Sequence, residues 1–321
     1  MSKDRKVLLT HYDLDGVGCD ILMSKMFKFE KKIQCGYAKI KEKLNNGDLM
    51  WYDSAIVTDV SLTADQYKKI SDEYKEKFLY VDHHKPSVEM VHGLGSTPSK
   101  CVVSDKFSAT GLTLQVFKGL HKQKGIFPFV SAIDAYDCWR CETHPATFDT
   151  GYDLNILFWK YGYFDFYDRF MNSFSLTFDY DERKWIDAHK KERDSVIANA
   201  DKTEFGNNSL LILDTPSDYV NDFTIQLPDY DVYYMVCVTH EGKLVLSMRS
   251  KMEGKSLGHI ARDVKDLFQG DVVSAGGHPK SAGIDFCDKT PLDVILDVVE
   301  YVNGNMEGIE TDAPFSEDVP F

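Results

Sequence analysis

The sequence predicts an α/β protein with an N-terminal domain built on a mostly parallel sheet and a smaller C-terminal α/β domain. Three observations predict it. Over residues 6–137, short apolar runs alternate with helix-period patterns, as they do when strands cross over through helices. Three of those runs end abruptly in acid and imidazole side chains. A second alternation of strand-like and helix-like segments fills 206–303.

The first run, Val7-Leu8-Leu9, leads into Thr10-His11-Tyr12-Asp13-Leu14-Asp15-Gly16. Ala55-Ile56-Val57 leads into Thr58-Asp59, and Phe78-Leu79-Tyr80-Val81 into Asp82-His83-His84-Lys85. Strands buried on both faces read as continuous apolar runs, and ligands of open parallel sheets bind outside the carboxyl ends. The three ends therefore direct seven metal-competent side chains toward one site. Helices are expected at 18–28, at 63–74 with Thr63 as N-cap, and at 109–122. A fourth apolar approach, 129–133, is followed by Asp134 and Asp137. Either can add an acid to the site, leaving the other to cap the helix or pair with Arg140.

Residues 138–180 change character, with an aromatic-dense stretch at 158–167. A packed helical cap on the sheet is the first expectation there; the functional alternative is that one or two of the rings stack on a base. The charged segment 181–205 reads as a helical linker. Strands follow at 209–213, 232–238, 244–248 and 282–286, and helices at 257–268 and 291–302. The boundaries are thus 1–180 for the first domain, including the aromatic insertion 138–180, then the linker, then 206–303. Residues 304–321 form an acidic tail without Lys or Arg, expected to be flexible.

At 321 residues and 43% hydrophobic content the chain can bury two real cores. A net charge of −14 argues against long nucleic acid as the main ligand, because duplex binding is driven by Lys and Arg at phosphates. A short phosphorylated substrate remains accessible through metals and a local basic pocket. No stretch approaches the ~20 apolar residues of a membrane span, and the charged N-terminus lacks the apolar core of an export signal. A cytoplasmic location is expected. Seven cysteines, an odd number, point to reduced thiols. Cys138-Trp139-Arg140-Cys141 is a lone pair without the further ligands of a structural zinc site.

A two-metal hydrolase needs carboxylates and imidazoles on each ion, and a carboxylate that spans ions lying about 3.5–4 Å apart. His11, Asp13 and Asp15 would share one side if the strand continued through them, and Gly16 and Gly18 allow a tight turn into a helix. Each aspartate alone reads as a turn or N-cap residue; together with Asp59 and Asp82-His83-His84 they read as a di-metal centre. Residues 274–283 are Gly-rich around His278 and Lys280. Alone that segment is a surface turn, yet its amides and side chains can also cradle an anion. Arg249-Ser250 is a second candidate for phosphate contact.

These motifs resemble those of the DHH phosphoesterases, over about residues 6–303. His11-Tyr12-Asp13-Leu14-Asp15-Gly16 is similar to the family's first motif, Asp59 to its second and Asp82-His83-His84 to its third, with Asp137 in the better register for the fourth. Arg249-Ser250 and Ala275-Gly276-Gly277-His278 resemble the DHH-associated C-terminal domain, Ala275 standing where a first glycine is usual. The resemblance implies that His11 and Asp13 hold one ion, and that Asp15, His83 and Asp137 hold the other, with Asp59 bridging. It implies catalytic roles for Asp59, Asp82 and His84, the last at the scissile phosphate. Substrate contacts would come from Arg249, Ser250, Gly276, Gly277, His278 and Lys280. Two divalent ions, Mn²⁺ before Mg²⁺, are the implied cofactors.

Within the family, the compact form resembles the oligoribonucleases that degrade very short RNA to mononucleotides. Dinucleotides, cyclic or linear, short DNA and nucleoside 3′,5′-bisphosphates are alternative substrates. A non-catalytic scaffold in nucleic-acid processing is the alternative of another class. The terminal Glu317-Asp318-Val319-Pro320-Phe321 is similar to the acidic tip of bacterial single-stranded-DNA-binding proteins and suggests a tail that docks on a protein partner or folds back onto a basic groove of this protein.

Overall fold

The computed structural model describes residues 4–35, 51–94, 100–205, 208–216, 219–238, 242–278 and 280–308, with isolated positions between 39 and 49. The chain divides into two compact units, Met1–His189 and Lys190–Phe321.

The first unit is built on strands β1 (Lys6–Thr10), β2 (Lys31–Gln34), β3 (Ser54–Thr58), β4 (Phe78–Asp82) and β5 (Cys101–Val103). Their order is β2-β1-β3-β4-β5, and every pairing is parallel. Val7, Leu8, Leu9, Ala55, Val57, Tyr80 and Val81 are buried, which explains why the strands read as unbroken apolar runs. The register sets Thr10 beside Thr58 and Thr58 beside Val81. The three strands thus end level, and the residues that follow them emerge along one sheet edge.

Helices α1 (Leu14–Met26), α2 (Ala64–Tyr74), α3 (Lys85–Gly93), α4 (Ala109–Val116), α5 (Ile126–Asp137) and α6 (Pro145–Asn172) surround this sheet. Thr63 caps α2 as the sequence predicts, and it also closes a capping box with Gln66. The helix expected over 109–122 breaks at Phe117, and Lys118–Lys122 continue as a 3-10 turn; Gly119 in that stretch favours the break.

The aromatic segment forms α6, interrupted at Gly162, where φ is 73° and ψ 172°. Phe158, Tyr163, Phe166 and Phe170 of α6 form one core with Val17 and Ile21 of α1 and Phe129 and Ile133 of α5. Helices α5 and α6 approach closely at Gly151. A β-carbon there would lie 2.1 Å from the Ala132 carbonyl oxygen and 2.7 Å from Tyr136 Cβ. Gly151→Ala should therefore cost about 1–3 kcal/mol of stability, read as a lower urea midpoint at unchanged slope.

The boundary between units falls within α7 (Tyr180–Asn199). The second unit holds β6 (Asp201–Phe205), β7 (Ser209–Pro216), β8 (Val232–Val238), β9 (Leu244–Ser250), β10 (Val272–His278) and β11 (Ser281–Phe286), in the order β10-β11-β9-β8-β7-β6. Only β7 and β8 pair in parallel. With the sheet go α8 (Val220–Gln226), α9 (Leu257–Leu267) and α10 (Leu292–Glu307). Leu257, Ile260, Ala261 and Val264 form the buried stripe of α9, against Ile284 and Phe286 of β11 and Ile295, Val298 and Val302 of α10.

Two segments differ from the sequence reading. Residues 201–205 are an edge strand, not the end of a helical linker. Their mostly polar composition gives no apolar alternation, because little of an edge strand is buried. The Gly-rich segment 274–283 is mostly strand, shared between β10 and β11, with a turn at Lys280 between them. Glycine weakens strands, which argues for a turn, but continuous pairing of Ser274–His278 with β11 holds it, with Gly276 and Gly277 at φ 158° and 148°. Helix α10 continues to Glu307, so 304–307 are helical, and the acidic tail from 309 lies outside the described residues. Among the described residues no helix is long and apolar enough to cross a membrane. The seven cysteines form no disulfide.

Candidate metal centre

Strand β1 stops at Thr10, so His11, Asp13 and Asp15 are not presented by strand alternation as the spacing suggests. They are presented by the start of α1. Asp13 is its N-cap, with Oδ1 accepting from the Gly16 amide at 2.8 Å and Oδ2 lying 2.6 Å from His11 Nδ1. Gly16 permits the turn: a β-carbon there would stand 2.2 Å from the His11 carbonyl oxygen. Asp15 is buried in the first turn, and its carboxylate accepts from the amides of Ala109 (2.8 Å) and Thr110 (2.9 Å) at the N-terminus of α4. A second helix thus fixes an acid that the first one carries.

Asp59 follows β3 in the left-handed region, φ 54°, its amide donating to the Val81 carbonyl at 2.9 Å. Aspartate tolerates this conformation better than most residues. His83, after β4, places Nε2 at 3.3 Å from Asp137 Oδ2, 3.4 Å from Asp59 Oδ1 and 3.8 Å from Asp15 Oδ2. Asp82 and His84 form a separate pair, Oδ1 to Nδ1 at 2.8 Å. The other Asp82 oxygen accepts from the Tyr80 hydroxyl at 3.1 Å, which also lies 2.7 Å from Ser87 Oγ. An ionised Asp82 accepts the Nδ1 proton of His84 and fixes that ring.

Helix α5 sends its two aspartates to different partners. Asp134 turns to Arg140, 2.8 Å away, and to the Ser108 amide at 2.7 Å. Asp137 joins His83. Cys138, which the sequence reading set aside, also comes into the cluster. Ligand atoms of His83, Asp137 and Cys138 lie within 4.8 Å of one another, as do those of His11, Asp13 and Asp59, and those of Asp59, His83 and His84. Asp59 belongs to two of the three groups.

The electrostatics follow from crowding acids. Burial, then the charges of Asp13, Asp15 and Asp137, push the Asp59 carboxyl well above its ordinary value. Burial, then Asp15, Asp13 and Asp134, do the same to Asp137. Burial also acts on Asp13 and Asp82, but histidine hydrogen bonds and charge outweigh it and hold both below the ordinary value. His11 rises through its hydrogen bond to Asp13. Burial opposes a rise at His84, and Asp82 overcomes it.

Two buried carboxylate oxygens of this cluster, Asp59 Oδ2 and Asp137 Oδ2, make no hydrogen bond among the described residues, although the second faces His83 Nε2 at 3.3 Å. Orphaned buried acceptors are costly, and converging carboxylates repel. A cation among them removes both penalties. The donor set of carboxylates and imidazoles suits hard and borderline divalent ions, so the residues fit such a group.

No protein-family model and no curated protein matches the chain. Solved structures do. The DHH domain of a member of a ribosomal protein family superposes with TM-score 0.60 at 13% identity, covering 96% of this chain and 87% of that one. A pGpG-specific phosphodiesterase from Vibrio cholerae superposes with TM-score 0.58 at 10% identity, covering 94% and 99%. The fold is that of the DHH-domain proteins. Exonuclease RecJ bound to manganese shows the same likeness, with TM-score 0.51 at 14% identity over 97% of this chain and 91% of that one.

In the second unit of this DHH fold, Arg249, Ser281 and His278 fall in one row across β9, β11 and β10. Arg249 donates to Asn221 Oδ1 (2.8 Å), Ser247 Oγ (3.2 Å) and the Met248 carbonyl (2.8 Å). Ser250 is buried and its hydroxyl accepts from the Met252 amide. Lys280 is drawn to Glu253, at 2.6 Å. Gly277 is closely packed; a β-carbon would lie 2.3 Å from the Ser281 carbonyl oxygen. The His278 side chain lies outside the described residues.

Proposed function

We propose that the protein is a divalent-metal-dependent phosphodiesterase that hydrolyses short oligonucleotides, nanoRNA first among them, to 5′-mononucleotides. One observation carries this reading: Asp59, buried with an unpartnered oxygen, shares ligand groups with His11 and Asp13 on one hand and with His83 on the other. Two ions, Mn²⁺ or Mg²⁺, would neutralise charge on the transferring phosphoryl group and lower the pKa of the attacking water. His11 and Asp13 would hold one ion. Asp15, His83 and Asp137 would hold the other, with Asp59 shared.

The remaining roles follow from the side chains themselves. His84, held by Asp82 and with a raised proton affinity, would donate from Nε2 to a phosphoryl oxygen. Asp82 orients that ring. Hydrolysis that expels the 3′ oxygen leaves the phosphate on the 5′ side of the product. In the second unit, Arg249, Ser250, the amides of Gly276 and Gly277, His278 and Lys280 would hold a phosphate or terminal nucleotide. The acidic tail would serve a protein partner, and the enzyme would work in the cytoplasm.

The likeness to a pGpG-specific phosphodiesterase over nearly all of both chains supports a second reading, a linear dinucleotide as the preferred substrate. Purified full-length protein with Mn²⁺ and end-labelled RNA of two to twenty-four nucleotides separates the readings, with cyclic dinucleotides and a nucleoside 3′,5′-bisphosphate in parallel. Fast cleavage of RNAs from two to about five nucleotides marks an oligoribonuclease. Cleavage confined to the two-nucleotide substrate favours the second reading. Preference for a cyclic dinucleotide or a bisphosphate overturns both.

A further inference from the structure

We propose that Tyr12 and Trp159 form a stacking platform for a nucleobase of the substrate; this rests on the phosphodiesterase reading above and deepens it. Tyr12 stands between His11 and Asp13, so its backbone is one residue from two of the residues assigned to a metal ion. Tyr12 is 46% exposed, although its ring has three aromatic neighbours. It stacks on Tyr163, with centroids 5.5 Å apart and planes at 28°, meets Phe158 edge-on at 5.9 Å and tilts against Trp159 at 6.3 Å.

The rings behind this surface are locked. Tyr163 is buried, and its hydroxyl donates to Asp20 at 3.0 Å; Asp20 in turn pairs with Lys32 at 2.9 Å. Phe158 is buried and braces Trp159 edge-on at 5.1 Å. In front, Trp159 is 61% exposed and Phe164, edge-on to Tyr163, is 72% exposed. The break in α6 at Gly162 falls between Phe158 and Trp159 on one side and Tyr163 on the other, the three rings of this helix that touch Tyr12.

An exposed aromatic patch marks a ligand surface more often than chance placement. Position selects the occupant. The patch is continuous in the chain with the proposed metal ligands, so a group bound there is carried by the molecule whose phosphate is hydrolysed. Charge points the same way. With 51 acidic residues against 37 basic ones, the protein gains little from long-range attraction of phosphates, and a substrate of two or three nucleotides must be held by other contacts. Stacking on aromatic rings provides such contacts for any base.

The test uses the full chain and a dinucleotide containing 2-aminopurine, whose fluorescence is quenched on stacking. Binding is read in the Asp59→Asn background to suppress turnover, and KM and kcat are read in the parent background. Trp159 is exposed, so Trp159→Ala should fold, and circular dichroism checks it. The expected result is quenching by the parent platform, about tenfold weaker binding and an about tenfold higher KM in Trp159→Ala, and recovery in Trp159→Phe. The loss should shrink on an abasic dinucleotide. Equal losses with and without the base, or unchanged quenching in Trp159→Ala, overturn the platform. Quenching without hydrolysis by the parent would preserve the platform and remove the phosphodiesterase reading instead, so the two fail separately.

Discussion

Asp59→Asn is expected to lower metal-dependent hydrolysis by about 10³-fold or more while leaving the metal-free protein at least as stable as the parent. The two halves have one cause. Asp59 is a buried acid whose ionisation is opposed by burial and by Asp13, Asp15 and Asp137. Asparagine keeps its shape and tolerates the left-handed backbone at φ 54°. It removes the charge that the neighbours resist, and with it the anionic donor shared by two ligand groups. Thermal melts check both halves. Added Mn²⁺ should raise the melting temperature of the parent, because a ligand that binds only the folded state stabilises it. The variant should show no such rise. A variant that melts like the parent in Mn²⁺ and keeps turnover removes Asp59 from the site.

Binding of Mn²⁺ is expected to release protons and to tighten as pH rises, by up to about tenfold per pH unit for each proton displaced. Asp59 and Asp137 hold protons in the metal-free protein at pH values where ordinary aspartates are ionised. Ligation requires the ionised form. The same shifts set the stability of the metal-free protein. A carboxyl with a raised pKa in the folded state contributes most below its unfolded value, about 4, and loses that contribution as pH rises through the folded value. The raised pKa values of His11 and His84 act in the same direction at higher pH, their contribution fading above the ordinary histidine value. Asp13 and Asp82, with lowered values, act oppositely, but only below about pH 4. Metal-free protein should therefore melt lower as pH rises from about 5 to 9, and saturating Mn²⁺ should offset the fall. Calorimetric titrations in buffers of different ionisation enthalpy count the protons; a count of zero contradicts the assignment of protonated acids.

What the sequence shows and what it hides divide along physical lines. The ends of β1, β3 and β4 were legible because buried parallel strands are unbroken apolar runs, and acids at their carboxyl ends stand out. Thr63 was legible as an N-cap because capping is local. The choice between Asp134 and Asp137 was not. Three residues apart on α5, they share a helix face, and only His83 and Arg140 separate them. The anchoring of Asp15 by amides 94 and 95 positions away leaves no local trace. Nor does Cys138, whose approach to His83 depends on where α5 ends. Strands β6 and β10 were hidden by composition, one polar at an edge and the other rich in glycine.

The most direct test is hydrolysis of a linear dinucleotide by the chelator-stripped full chain, before and after Mn²⁺ is restored, with Asp59→Asn alongside. Turnover that returns with Mn²⁺ in the parent and stays absent in the variant is the predicted result. Turnover that persists in chelator, or none from parent protein shown to hold Mn²⁺, would contradict a metal-dependent phosphodiesterase.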